Sequence, residues 1–371
     1  MYELTGVFIL KTRPSQMNMK APQKSNKLIA YVGPFPFPSG AASSRRVMGI
    51  ADALRSGNNE VIIGAEQPKD SNSSTLAKLS DYNVSYLNEA PSNSNLRKGF
   101  EMFRSGTNAL RWLNALRAIL MCSGGVGLCG SDAMANEYIR RYGGEFHGFP
   151  VNVPSVSESP PPLLEETKGR PIRLAYIGGL HLNRTELLVD IGKACQVLCN
   201  QGLQVECVIY APMLDLNQYG TILSSCPSIR VGGTLQTDEM SKIISVSDVM
   251  VHVESFDANI LRYTHLSLST KIPMYMSMAR PILAYGPGHL ASCRHVEQAK
   301  AGIVVPHRDI EKLSEAIRFL VLNQNARFQM GIAGWEQAKN RHDARNERNR
   351  LAAILGNAAK QRTLIGTRKN W

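Results

Sequence analysis

Short apolar runs and segments with helical spacing alternate along the second half of this chain. The apolar runs, each predicted to be a buried strand, occupy residues 172–177, 205–210, 229–231, 249–253, 281–284 and 302–305. Segments whose apolar residues recur every three or four positions lie between them, at residues 187–198, 237–247, 271–278, 291–299 and 309–322. Strict alternation of this kind predicts an α/β fold, with a doubly wound parallel sheet of the Rossmann-like type.

The first half opens with a similar strand, loop and helix. Leu28–Val32 is a continuous apolar run, which is typical of a buried parallel strand. A loop rich in proline and ending at Gly40 follows, and helical spacing then extends from Ser43 to Arg55. The pattern weakens farther along, so we expect a second Rossmann-like domain in shortened form.

Changes in composition divide the chain into segments. Residues 1–27 are polar and are predicted to be a disordered basic extension. We place the first domain at residues 28–158, a proline-containing linker at 159–170 and the second domain at 171–335. A basic helix from Glu336 to Leu355 and a tail are expected to complete the chain. Two such domains are expected to face each other across a cleft that holds the ligand.

The net charge of +12 is concentrated at the two ends. Residues 1–27 carry five Lys or Arg against one acid, and residues 335–371 carry nine against three, which leaves about +2 for the rest. Such ends either contact an anionic membrane or are solvated tails. Neither contains the interleaved aromatic residues or the recognition motifs of nucleic-acid binding. No apolar run approaches bilayer length, so we expect a cytoplasmic protein, with peripheral contact to the inner face of the membrane as an option.

Two glycine turns follow first strands, at Gly40 and at Gly178-Gly179. Neither matches GxGxxG or GxxxxGK[ST], which argues against a dinucleotide oxidoreductase and a P-loop NTPase. A glycine turn that feeds a helix can still offer backbone N–H groups to a phosphate. Arg184, just past the second turn, could reach the same phosphates with its planar guanidinium.

Metal binding and histidine chemistry have little support in the sequence. The seven cysteines form no CxxC pair, and the histidines show no metal-ligand spacing, so we expect ordinary core thiols and no metal. His147 is a lone candidate in the first domain, and a loop histidine is the preferred interpretation. No catalytic residue can be assigned.

A series of short motifs in the second half carries a family resemblance. They are Gly232-Gly233-Thr234-Leu235, Ser247-Asp248-Val249, Ser269-Thr270-Lys271-Ile272-Pro273-Met274-Tyr275-Met276 and Ala279-Arg280-Pro281-Ile282. In these motifs, residues 170–335 resemble the donor domain of the retaining GT-B glycosyltransferases, in the group 1 or family 4-like branch. The first domain resembles that family only in outline.

The resemblance implies a nucleotide diphosphate-sugar as co-substrate and a glycan or lipid-linked acceptor. It implies retention of configuration and no metal, with basic residues neutralising the leaving diphosphate. Gly233 belongs to the implied donor-binding residues, and Ser269, Thr270 and Lys271 would begin a helix beneath the diphosphate. The hydroxyls are also suited to an N-cap, whereas a lysine in a first helical turn is unfavourable unless it meets an anion.

Two departures from the family pattern keep other functions open, and one of them is the short first domain. The family usually has Glu where this chain has Met274, and that Glu accepts hydrogen bonds from the donor ribose. Glu254 lies too far upstream to restore the usual spacing. A GT-B protein that has lost catalysis and acts as a binding or scaffold partner is therefore one alternative. A sugar-nucleotide epimerase on the same fold is another.

Overall fold

The chain folds into two compact units, one of residues 1–152 with 345–371 and one of residues 153–344. The computed structural model describes residues 5–10, 28–36, 48, 51–52, 55, 60–66, 83–86, 126–149, 155–162, 169–236 and 239–367. Within these residues, no helix is both long enough and apolar enough to cross a membrane.

The second unit contains a six-stranded parallel sheet. Its strands are β7 (Ile172–Ile177), β8 (Val205–Tyr210), β9 (Ile229–Gly233), β10 (Val249–Val253), β11 (Ile282–Tyr285) and β12 (Gly302–Val305). They are ordered β12-β11-β10-β7-β8-β9, and every neighbouring pair is parallel. The doubly wound sheet predicted for this half of the chain is therefore confirmed. The strand order reverses between β7 and β10, where folds of this kind bind ligands.

Helices cover both faces of this sheet. They are α2 (Arg184–Asn200), α3 (Met213–Ser224), α4 (Glu239–Ser245), α5 (Ala258–Thr264), α6 (Lys271–Ser277), α7 (Ala291–Gln298), α8 (Ile310–Leu322) and α9 (Gln324–Arg341). One core cluster joins the sheet to α2, α3 and α8, and the other joins it to α4, α6, α7 and α9.

Helix α8 shows how local sequence specifies these elements. The Asp309 carboxylate accepts hydrogen bonds from the N–H groups of Glu311 and Lys312, which caps the helix. Leu313, Ile317 and Leu320 follow at helical spacing, and all three are fully buried. Capping and apolar periodicity therefore favour the same helix.

The first unit contains a sheet of mixed direction. Its strands are β1 (Thr5–Leu10), β2 (Leu28–Pro36), β3 (Glu60–Glu66), β4 (Asn83–Tyr86), β5 (Val126–Cys129) and β6 (Phe146–Gly148), ordered β4-β3-β2-β1-β5-β6. Strand β1 is antiparallel to both neighbours, whereas the other pairs are parallel. Helix α1 (Asp132–Tyr142) follows β5.

Two sequence predictions about this first unit differ from the structure. The disordered extension predicted for residues 1–27 is wrong for Thr5–Leu10, whose run Val7-Phe8-Ile9-Leu10 has strong strand propensity that the polar average of the segment conceals. The second difference is that this sheet is mixed and not wholly parallel, because β1 lies between β2 and β5 and is antiparallel to both.

The boundary between the units also lies earlier than the predicted linker. The second unit begins at Val153, and Val156 is buried in its core. The Val156 N–H donates to the Asp343 carboxylate at 3.1 Å. Val156 therefore packs with the second unit, since an apolar side chain within a proline-rich segment can still be buried.

The C-terminal region forms two helices instead of the single one predicted from Glu336 to Leu355. Helix α9 ends at Arg341, and α10 (Ala344–Thr367) begins after His342 and Asp343. Residues 345–371 belong to the first unit, where the Arg350 guanidinium donates twice to the carbonyl of Gly148 at 2.9 Å and lies 4.4 Å from the centre of the Phe149 ring. One arginine of the predicted basic helix is thus a packing residue.

Candidate functional site

The reversal of strand order in the second unit brings two loops together. The first follows β7 and begins at Gly178, and the second follows β10 and begins at Glu254. Strands β7 and β10 are hydrogen-bonded neighbours, with Tyr176 opposite Val251. The carboxyl ends of parallel strands lie at one edge of a sheet, so the two loops share that edge.

Charged side chains from three elements meet at this edge. Arg184, the first residue of α2, has its Nη2 atom 3.9 Å from Glu254 Oε2. Lys271, the first residue of α6, is close enough to Glu254 to lower the pKa of its carboxyl electrostatically. Two of the cations predicted to bind a diphosphate, Arg184 and Lys271, therefore converge on one carboxylate.

Glu254 is almost completely buried. It is 4% exposed, and its backbone N–H donates to the carbonyl of Tyr285 at 2.9 Å. His252 Nε2 lies 3.1 Å from Glu254 Oε1. Burial raises the pKa of Glu254, but His252, Arg184 and Lys271 together outweigh it and leave the pKa below its usual value. The carboxyl group is therefore ionised at neutral pH.

Tyr176 connects the glycine turn to Arg184. Its hydroxyl donates to the carbonyl of Gly179 at 2.6 Å and lies close enough to Arg184 for the charge of that residue to act on its pKa. Burial raises the pKa of Tyr176 to about 12, so the hydroxyl keeps its proton. Gly178 allows this close packing, because a Cβ atom there would lie 2.6 Å from the Tyr176 oxygen. The turn is thus fixed by contacts within the unit.

The N–H groups of this turn are partly committed to the protein. The N–H of Gly178 donates to the carbonyl of Tyr210 at 3.0 Å, and that of Leu180 donates to the Asp215 carboxylate at 2.6 Å. Only some of the backbone donors expected for a phosphate therefore remain for one. The guanidinium of Arg184 and the ammonium of Lys271 are the stronger anion-binding groups here.

Ser269 and Thr270 directly precede α6, but their capping role differs from the predicted one. Thr270 is the N-cap of α6, yet its side chain makes no cap hydrogen bond, so that expectation is wrong. The N–H of Ser269 donates to the buried Ser292 hydroxyl at 3.0 Å, and this hydroxyl in turn donates to the carbonyl of Ser267. Ser292 thereby fixes the approach to the helix.

The remaining predicted residues lie elsewhere. Gly233 ends the edge strand β9 with a φ of 91°, a conformation that favours glycine, and its carbonyl accepts from the N–H of Ala211. Gly40 lies outside the described residues. Met274 is partly buried on α6 and packs against the apolar cluster on that face. His147 lies in β6, with Nε2 2.8 Å from Glu145 Oε1.

A separate pocket of about 460 Å³ lies beside α2. Leu182, Asn183, Tyr219 and Arg308 are among its lining residues. Arg308 already pairs with the carboxylate of Asp190 at 2.8 Å. Arg308 also donates to the Glu186 carboxylate at 3.1 Å, so two carboxylates engage its guanidinium, whereas the guanidinium of Arg184 is not hydrogen-bonded to Glu254. This pocket is therefore less suited to a diphosphate than the edge that holds Arg184 and Lys271.

Sequence reasoning missed Glu254 and Tyr176 as members of the site. The available signal for Glu254 was its position directly after the wholly apolar strand β10, at a sheet edge where ligands bind. Its spacing from Met274 pointed to no role in ribose binding and gave no sign of its nearness to Arg184. Within the described residues, no cluster of three or more His, Cys, Asp or Glu side chains could hold a metal ion.

Comparison with known proteins identifies the fold. No protein-family model matches the chain, and no curated protein matches it. Solved structures do match: WaaG, a glycosyltransferase involved in lipopolysaccharide biosynthesis, is 13% identical with a TM-score of 0.54, and 88% of this chain and 99% of WaaG are covered. A glycosyltransferase from Rickettsia africae is 11% identical with a TM-score of 0.60, covering 90% and 98%.

Anabaena HepE in complex with UDP is 10% identical to this chain, with a TM-score of 0.61, and the match covers 89% of this chain and 99% of HepE. HepE has also been solved with UDP-glucose. At such identities the likeness shows the fold and leaves the activity to be argued from the site. The chain has the GT-B fold of these glycosyltransferases, as its sequence predicted.

Proposed function

We propose that this protein is a glycosyltransferase that moves a sugar from a nucleotide diphosphate-sugar to a glycan or lipid-linked acceptor. The observation that carries the proposal is the convergence of Arg184 and Lys271 at the carboxyl ends of β7 and β10, in a fold shared with glycosyltransferases. Two cations at the reversal of strand order form a site for the diphosphate of such a donor.

The chemistry of the transfer explains the need for these cations. The bond between the anomeric carbon and the diphosphate oxygen breaks, and a bond from that carbon to an acceptor hydroxyl oxygen forms while the hydroxyl loses its proton. Negative charge develops on the departing diphosphate, and positive groups fixed next to it stabilise the transition state. Arg184 and Lys271 would supply this stabilisation. We assign no residue as the base that takes the proton.

The finer points of the proposal rest on the family resemblance. They are retention of configuration and independence of metal. Contact with an anionic membrane surface is proposed from the basic ends of the chain alone. Because HepE binds UDP and UDP-glucose, we select these as the first ligand and the first donor to test.

Calorimetric titration with UDP and with GDP tests the proposal. We expect one of them to bind wild-type protein, and we expect the corresponding sugar donor to be consumed when an acceptor glycan is present. If neither nucleotide binds, the proposed function is wrong.

Met274 supports a second candidate, a GT-B protein that binds the nucleotide without catalysis. A thioether is at most a weak hydrogen-bond acceptor, so it cannot replace a carboxylate against ribose hydroxyls. Nucleotide binding without hydrolysis or transfer of any donor sugar would favour this candidate over the enzyme. Interconversion of donor sugars without an acceptor would instead indicate an epimerase.

A further inference from the structure

Glu254 places a negative charge in the region that the proposed function assigns to an anion. Its Oε2 atom is 3.9 Å from Arg184 Nη2, and the charge of Lys271 also acts on it. Both cations that would hold a diphosphate are therefore partly neutralised by the protein itself. A diphosphate that enters this site meets attraction from two side chains and repulsion from a third.

The carboxylate cannot easily leave when an anion arrives. The side chain of Glu254 is 6% exposed, and the residue follows directly from the central strand β10. Gly286 packs against it so closely that a Cβ atom on Gly286 would lie 2.8 Å from Glu254 Cβ. The negative charge is thus fixed in position.

Glu254 affects Arg184 through its negative charge and does not orient the guanidinium by a hydrogen bond. A separation of 3.9 Å is beyond hydrogen-bond distance, so Glu254 does not fix the direction of the guanidinium. The hydroxyl of Tyr176, which is close enough to Arg184 for that charge to act on its pKa, is itself held by the carbonyl of Gly179 and does not depend on Glu254. Removing the charge of Glu254 should therefore leave Arg184 in place.

We propose that Glu254 is a built-in counter-charge that weakens binding of the nucleoside diphosphate and so favours its release after transfer. The identity of the ligand rests on the proposed function. The effect on a diphosphate anion rests on the 3.9 Å separation of Arg184 from Glu254 and on the burial of the Glu254 carboxylate. Such a device matters in enzymes whose turnover is limited by product release.

The test compares wild type with Glu254→Gln, which removes the charge and retains the shape, and with Glu254→Asp, which retains the charge. Glu315→Gln, on the exposed surface of α8, is the matched control for the loss of one negative charge. Each protein is titrated calorimetrically with inorganic pyrophosphate, UDP and GDP. We expect Glu254→Gln to bind pyrophosphate roughly tenfold more tightly than wild type, since one repulsive charge is removed at short range. Glu254→Asp and Glu315→Gln should bind as wild type does.

Several outcomes would overturn the proposal. They are an equal or weaker affinity of Glu254→Gln for pyrophosphate, an equal gain in Glu254→Asp, and the absence of pyrophosphate binding in all four proteins. If Glu254→Gln does not fold, Glu254→Met provides a second neutral variant of similar size. Failure of wild type to bind UDP or GDP refutes the proposed function separately, because the pyrophosphate titration still reports on the counter-charge.

Discussion

Arg184 Nη2 and Glu254 Oε2 lie 3.9 Å apart, although Arg184 begins α2 and Glu254 directly follows β10, about 70 residues later in the chain. Only the order of strands in the sheet brings them together, because β7 and β10 are neighbours there. The pair therefore lies where the reversal of strand order forms the proposed site.

Replacement of Lys271 by alanine tests the cationic part of this site. We expect Lys271→Ala to weaken binding of the nucleoside diphosphate by roughly 1.5–3 kcal/mol, the range for hydrogen bonds to charged groups. Calorimetric titration measures the change, and Lys312→Ala on the exposed face of α8 is the control. An unchanged affinity in Lys271→Ala would remove this lysine from the site.

Replacement of Met274 by glutamate tests the ribose recognition that the resemblance implies. We expect Met274→Glu to bind UDP more tightly than wild type, because a carboxylate accepts hydrogen bonds from ribose hydroxyls. Inorganic pyrophosphate has no ribose, so its affinity should not increase. Met274→Leu controls for packing, since Met274 contacts the apolar cluster. A gain for both ligands, or for neither, would argue against ribose contact at this position.

Lys300 offers a stability prediction outside the site. It follows the C-cap of α7 with a φ of 51°, while its N–H donates to Glu297 and that of Ala301 donates to Val296. Glycine adopts this left-handed conformation without the steric cost of a Cβ atom. We expect Lys300→Gly to raise the free energy of unfolding by about 0.5–1 kcal/mol in urea denaturation. Lys300→Ala keeps the Cβ atom, so an equal gain in that variant would refute the explanation.

His342 should make the stability depend on pH. Burial, together with His295 and Arg341, lowers the pKa of His342 to about 3 in the folded protein. Its Nε2 atom lies 2.8 Å from that of His295. In the unfolded chain this imidazole takes up a proton below about pH 6.5, and the folded state excludes that proton until about pH 3. The contribution to stability is therefore complete above pH 6.5 and decreases as the pH falls towards 3.

Urea denaturation of wild type and of His342→Gln at pH 7, 5.5 and 4.5 measures this contribution. We expect wild type to lose up to about 1.4 kcal/mol more per pH unit than the variant between pH 6 and 4. Parallel pH dependence in the two proteins would mean that other groups are responsible.

In the second unit, the sequence predicted the strands and helices whose buried residues follow the hydrophobic period. Strands such as Val249–Val253 are wholly buried, and α8 buries residues at helical spacing. Helix α3 was missed because its burial does not follow its hydrophobicity. Among its apolar residues Leu223 is buried, whereas Met213 and Leu214 are exposed. A pattern that reports hydrophobicity cannot reveal a helix whose apolar residues face outwards.

Some residues of the candidate site were recognisable from the sequence, and others were not. Arg184 was recognisable because it lies just past the Gly178-Gly179 turn, and Lys271 because it begins the helix predicted for residues 271–278. Glu254 did not, because a helix, Ala258–Thr264, intervenes before Lys271 and conceals their proximity along the chain. Contacts made across the sheet depend on strand order, and local spacing carries no information about it.

The central position of β1 has a practical consequence for how the protein is produced. Because β1 pairs with both β2 and β5, a polypeptide initiated at Met17 or Met19 would lack the strand that joins the two halves of the first sheet. Each half would then present an unpaired edge, which promotes aggregation. Expression from an internal start codon, or an N-terminal tag that blocks residues 5–10, should therefore yield insoluble protein.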